Sequence, residues 1–79
     1  MKKEPKTFKE WLLKRYLHRD SPVGDLARDV ARDPDFPDNG DFMDMYTHIH
    51  YAAHDSEAAT VALMTAYSRW WYYCDEMWR

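Results

Sequence analysis

The sequence predicts an all-α fold, a compact bundle of four to five helices with the longest helix at the carboxyl end. Apolar residues recur at spacings of three, four and seven along the chain, which is the pattern of one buried helix face. No run of β-branched residues alternates in the manner of a strand. Proline, glycine and aspartate are concentrated between the periodic runs, where helices are expected to end.

The first helix is predicted to start at Thr7. Thr7 and Glu10 have the spacing of a capping box, in which each side chain accepts a hydrogen bond from the backbone N–H of the other residue. The apolar face of this helix consists of Phe8, Trp11, Leu12 and Tyr16.

The second helix is predicted to start after Ser21, a capping residue, with Pro22 in the first helical position. Its apolar face consists of Val23, Leu26, Ala27 and Val30. The segment 33–37 ends this helix, because each of its prolines disfavours the α conformation in the preceding residue. Phe36 stands between the two prolines and is predicted to fill the core beneath the loop.

The third helix is predicted to follow a turn at Asn39 and Gly40, with Asp41 as its cap. Its apolar face consists of Phe42, Met45, Tyr46 and Ile49. Asp55 or Ser56 is predicted to cap the last helix, which runs to about Met77. Its core stripe consists of Leu63, Ala66, Tyr67, Trp70, Cys74 and Met77.

These segments resemble the YozE-like family of small bacterial proteins, whose fold is similar to the sterile alpha motif (SAM-like). The resemblance covers the chain from about Thr7 to Cys74. It rests on FKEWL at 8–12, SPVGDLARD at 21–29, DPDFP at 33–37 and the aromatic segment 67–71. Ser68 and Trp70 depart from the family pattern, which tends to have an acidic and a small residue there. The resemblance implies the fold and implies no particular activity.

The length and composition describe one soluble domain, which we place at residues 7–79 after a basic tail at residues 1–6. Cys74 is the only cysteine, so the apolar core must hold the fold without an intrachain disulfide. A lone thiol favours a reducing cytoplasm. We find no signal-peptide pattern and no apolar run near the roughly 20 residues of a membrane helix.

Four consecutive aromatic residues, from Trp70 to Tyr73, are the most informative feature for function. At about 100° per residue they point in four directions around a helix, so a small bundle is not expected to bury all of them. Trp70 belongs to the core stripe, whereas Trp71 forms a second stripe. The alternative is that a thin bundle covers this helix on three sides. The predicted protein interface, for a protein partner or a homodimer, is Met64, Trp71, Tyr72 and Trp78.

The charge is unevenly distributed. Residues 1–19 hold seven basic and two acidic groups, whereas residues 20–79 hold four basic and twelve acidic groups, for a net charge of −3. Nucleic-acid binding through the first helix is therefore an alternative function, although the net charge disfavours it. The candidate phosphate contacts are Lys9, Lys14 and Arg15.

The aspartates of the second helix and the following loop have two interpretations. One is an acidic docking patch of Asp25, Asp29 and Asp33, which would suit a phage-borne antagonist of a basic nucleic-acid-binding protein. The other is local pairing, because Asp25 with Arg28 and Asp29 with Arg32 have the i, i+3 spacing of helix ion pairs.

Metal binding and catalysis are not expected. His50 and His54 are four residues apart and are weak metal candidates, but we find no convincing fourth ligand for a structural zinc. The two glycines of the chain form no phosphate-binding loop, and Cys74 lies on the core stripe, where a thiol is inert. We therefore expect a non-catalytic interaction module without a cofactor.

Overall fold

The described part of the chain folds into four α-helices, which confirms the all-α bundle with a longer last helix. The computed structural model describes residues 7–38, 41–52 and 57–77, with side chains as far as residue 74. The predicted basic tail, the turn at 39–40 and both candidate caps of the last helix lie outside these residues. The helices are α1 (Phe8–Tyr16), α2 (Pro22–Ala31), α3 (Phe42–Ala52) and α4 (Glu57–Met77).

The caps predicted for the first three helices are present. The hydroxyls of Thr7 and Ser21 each accept a hydrogen bond from the backbone N–H three residues later, at 3.2 and 3.1 Å. The carboxylate of Asp41 accepts bonds from the two backbone N–H groups at positions 43 and 44, at 2.9 and 3.3 Å. Each cap satisfies N–H groups that have no partner within the helix.

The core lies between α4 and the other three helices, all of which contact α4. Phe36 is buried beneath its loop, as predicted, and its ring stacks on Phe8 with 6.4 Å between the centroids. The remaining buried apolar side chains come from the predicted faces, except Ala62, which precedes the predicted stripe residue Leu63 and was not predicted. They are Phe8, Trp11, Leu12, Val23, Leu26, Ala27, Val30, Met45, Ile49, Ala62, Leu63 and Ala66.

A close backbone contact joins α1 to α2. Arg28 donates hydrogen bonds to the carbonyl oxygens of Leu17 and Arg19, at 3.1 and 3.0 Å, so it caps the end of α1. A Cβ atom added to Gly24 would lie 1.9 Å from the carbonyl oxygen of Arg19. The connection therefore requires glycine at position 24.

Replacing this glycine tests the contact. Glycine to alanine within a helix ordinarily stabilises a protein by about 1 kcal/mol. We expect Gly24→Ala to lower the free energy of unfolding instead, by about 1–3 kcal/mol, because a backbone carbonyl has to move. Urea unfolding measures the change. The control Ala31→Gly, near the exposed end of α2, measures the difference in helix propensity between alanine and glycine where no such backbone contact exists. A stabilised Gly24→Ala variant would contradict the contact.

Candidate interaction surface

The inner side of α4 is fixed by a cluster of aromatic rings around Trp11. Trp11 is 1% exposed, and its ring centroid lies 5.7 Å from that of Trp70 and 6.2 Å from that of Tyr73. Trp70 and Tyr73 also stack on each other at 5.7 Å. Because these two residues point inward, the two between them must point away from the core.

The outward face of α4, as we call it, consists of four exposed apolar side chains. Trp71 is 64% exposed and Tyr72 is 71% exposed, and about two to three turns earlier Met64 is 52% and Val61 is 50% exposed. Three of the four predicted interface residues thus share one exposed face. The fourth, Trp78, lies outside the described residues. Sequence reasoning missed Val61, although its spacing of three from Met64 and eleven from Tyr72 indicates the same side of the helix.

A groove runs beside this face, between the amino-terminal end of α2 and α4. We call it the α2–α4 groove, and its volume is about 580 Å³. Glu57 and Arg69 are its two charged lining residues, and between them α4 contributes mostly small or apolar side chains. The lining residues are Ser21, Pro22, Val23, Glu57, Ala58, Val61, Ala62, Thr65 and Arg69.

A second, smaller cleft of about 240 Å³ adjoins the first at Arg69, and Trp11 and Tyr72 also line it. We call it the arginine–tyrosine cleft. The guanidinium carbon of Arg15 lies 5.6 Å from the ring centroid of Tyr73. Arg69 donates a hydrogen bond to the hydroxyl of Tyr16 at 3.2 Å and stands 5.8 Å from the centre of that ring. These cation–π contacts hold the two cations beside half-buried tyrosine rings.

The three predicted phosphate contacts point in different directions around α1. Arg15 lines the arginine–tyrosine cleft. Lys9 is turned about 120° from Arg15 around α1, and its backbone N–H donates to the carboxylate of Asp38 at 3.2 Å. Lys14 is exposed and is turned about 100° from Arg15 around the helix.

The predicted acidic patch is paired internally. Asp25 forms an ion pair with Arg28, and Asp29 pairs with Arg32 at 2.8 Å, as the i, i+3 spacing indicated. These pairs offset the negative charge locally. The docking role of the patch stays a prediction.

The third aspartate of that set, Asp33, joins the loop after α2 to α3. Its Oδ2 lies 2.6 Å from Nε2 of His48, and His48 also contacts the ring of Phe36 edge-on. The hydrogen bond with His48 holds the pKa of Asp33 below its ordinary value, with a smaller contribution from the backbone N–H of Asp35. The sequence carried no signal for this pair, which is fifteen residues apart.

The weak metal candidates are placed as follows. The ring of His50 stacks on Tyr46, with 6.1 Å between the centroids, and contacts Tyr51 edge-on. His54 lies outside the described residues. Within the described ranges, no group of three His, Cys, Asp or Glu side chains is placed to hold a metal ion. None of the helices seen there is long and apolar enough to cross a membrane.

These features define a small SAM-like helical domain with an exposed aromatic face. The chain belongs to the family described as the YozE SAM-like fold, whose family model matches residues 7–72. The matched range includes every residue that lines the α2–α4 groove, and it ends at Tyr72. Neither the comparison with curated proteins nor that with solved structures found a match.

The contact between Asp33 and His48 predicts a pH dependence of stability. Because the pKa of Asp33 is lower in the folded chain than its ordinary 3.8, the ionised carboxylate stabilises the fold above that pH. This stabilisation is lost as the pH falls through the lowered value. We expect Asp33→Asn to destabilise the chain most at neutral pH, and the difference from the wild type to shrink towards about pH 3.

Urea unfolding across this pH range measures the difference. Asp35→Asn is the matched control, since it removes a neighbouring exposed carboxylate and leaves the contact with His48 in place. A difference between wild type and Asp33→Asn that did not change with pH would show that the charge of Asp33 contributes nothing.

Proposed function

We propose that this chain is a non-catalytic protein-interaction module that binds a protein partner, or a second copy of itself, through the outward face of α4. The observation that carries the proposal is the exposure of Trp71 and Tyr72 on consecutive positions of one helix. Exposed contiguous apolar surface marks contact sites, and Trp and Tyr dominate the binding energy of such sites.

The rigidity of the support also favours binding. Trp70 and Tyr73 flank the exposed pair and pack against Trp11, so the backbone that presents Trp71 and Tyr72 is held in place. A preorganised surface loses little conformational freedom when a partner binds. Aromatic side chains have few rotatable bonds, which reduces this loss further.

The non-catalytic part of the proposal is supported by the state of the lone thiol. Burial raises the pKa of Cys74, so at neutral pH the sulfur stays protonated and is a poor nucleophile. A cytoplasmic setting suits such a thiol, because reducing conditions keep it free of disulfides.

Nucleic-acid binding is a second candidate, and the arginine–tyrosine cleft is the observation that favours it. Arg15 and Arg69 supply positive charge there beside Tyr72. Single-stranded nucleic acid is bound by cationic grooves in which bases stack on aromatic rings. The net charge of −3 weakens this candidate relative to protein binding.

The aromatic face is tested by removing its two largest rings. We expect Trp71→Ala/Tyr72→Ala to weaken binding of the partner isolated from the native cell about thirtyfold or more, since paired aromatic anchors are worth about 2 kcal/mol or more. Affinity is measured with purified partner, and light scattering measures self-association. Circular dichroism confirms that the helix content is retained.

The matched control is Met43→Ala/Tyr51→Ala, which removes two comparably exposed apolar side chains from α3. We expect this control to bind as the wild type does. If both double variants kept the partner and the mass of the wild type, the aromatic face would not be the binding site.

The nucleic-acid candidate is tested at low salt with a fluorescent single-stranded oligonucleotide. It predicts binding that weakens steeply with salt. Arg15→Gln should lower the affinity at least about threefold, because one phosphate contact is lost. Lys9→Gln, on another side of α1, should change it less. The absence of any anisotropy change at low salt would reject this candidate.

A further inference from the structure

We propose that the α2–α4 groove receives α4 of a second copy of this chain in antiparallel orientation, with Glu57 of each copy paired to Arg69 of the other. The inference deepens the proposed function, because it names the occupant of one part of the same surface, and it rests on that function. Three features of the groove carry it, namely its shape, the placement of its charges and the absence of competing ion pairs among the described residues.

The shape of the groove matches the helix that borders it. Glu57, Val61, Thr65 and Arg69 follow one another at intervals of four along α4, so they form an inclined ridge that turns about 40° around the helix at each step. Beside them the small side chains of Ala58 and Ala62 leave a depression, which Pro22 and Val23 of α2 close on the far side. Ridges formed at intervals of four pack into the corresponding grooves in the commonest class of helix contact, in which the two helix axes cross at about 50°.

The charges select the orientation. Glu57 and Arg69 stand at opposite ends of the ridge, twelve residues apart, which is about 18 Å along the helix at about 1.5 Å per residue. A parallel pair of copies would place Glu57 beside Glu57 and Arg69 beside Arg69. An antiparallel pair, with its two-fold axis between Val61 and Thr65, places Glu57 of each copy beside Arg69 of the other. The dimer then contains two ion pairs. Such a self-complementary contact is the kind that closed dimers use.

Neither charge has an opposite charge within ion-pair distance among the described residues. The ion pairs found there involve Arg28, Arg32 and His48 with aspartates. Arg69 makes one hydrogen bond to a tyrosine hydroxyl, which leaves four of its five N–H groups for other acceptors. Glu57 is exposed at the first turn of α4. An ion pair between two copies would give each group its missing counter-charge.

The proposed contact uses only one side of the outward face. Val61 lies within the ridge, and Tyr72 is turned only about 20° from it around the helix. Trp71 is turned about 80° the other way and stays outside the contact. A dimer formed by the groove therefore leaves Trp71 accessible to a different protein. Since one helix ridge buries a small area, we expect a weak dimer with a dissociation constant on the order of micromolar.

Charge reversal tests the pairing. We expect Glu57→Arg and Arg69→Glu each to weaken self-association at least about tenfold, because each variant places two like charges together twice in the dimer. The double variant Glu57→Arg/Arg69→Glu restores opposite pairs and should return to within about threefold of the wild type. An equimolar mixture of the two single variants should form a heterodimer, since every arginine then faces a glutamate.

Sedimentation velocity over a range of protein concentrations measures all four cases. The controls Asp35→Arg and Lys14→Glu change the net charge by the same amounts at exposed positions outside α4, and they should associate as the wild type does. Circular dichroism checks the helix content. Should a reversal unfold the chain, Glu57→Gln and Arg69→Gln take its place, each expected to weaken association about threefold.

The proposal is overturned if the wild type remains a monomer at every concentration, if the single variants associate as the wild type does, or if neither the double variant nor the mixture regains association. Those outcomes leave the proposed function intact as long as capture of a different protein depends on Trp71 and Tyr72. If the chain neither self-associated through the groove nor captured a different protein through Trp71 and Tyr72, the proposed function would fail as well.

Discussion

The burial of Trp11 determines how α4 is rotated, and the exposed surface depends on that rotation. The ring of Trp11 fills the space between α1 and α4 against Phe8, Trp70 and Tyr73. Its Nε1–H has no hydrogen-bond partner in the described part of the chain, an arrangement that costs about 1–3 kcal/mol. Ring packing has to outweigh this cost. With Trp70 and Tyr73 held inward, the helix geometry directs Trp71 and Tyr72 to the outside.

Features set by local geometry were predictable from the sequence. The caps at Thr7, Ser21 and Asp41 depend on residues within three positions of each other, so spacing alone identified them. The exposure of Trp71 and Tyr72 was predictable for the same reason, because four consecutive positions of a helix cannot share a side. The family resemblance predicted the SAM-like fold, and the matching family model confirms that prediction over residues 7–72.

Features that join distant segments were not predictable. The α2–α4 groove brings Ser21 beside Glu57, and the loop contact brings Asp33 beside His48. Neither pair shares a helix, so neither has a periodic signal. The phosphate contacts predicted on α1 stay a prediction, and their different directions follow from local geometry, because six positions of a helix turn Lys9 and Arg15 about 120° apart.

In the proposed dimer, the charges at the ends of the ridge favour a closed contact over open-ended association. α4 is apolar on its inner side and also carries Val61, Met64, Trp71 and Tyr72 on its outer side, and such surface invites indiscriminate association. A contact between unlike patches could propagate from copy to copy, whereas a two-fold contact closes after one partner. Glu57 and Arg69 favour the closed arrangement, because only the antiparallel register satisfies both charges at once. In that dimer, the charged ends of the groove limit the indiscriminate association that the apolar side chains between them would otherwise allow.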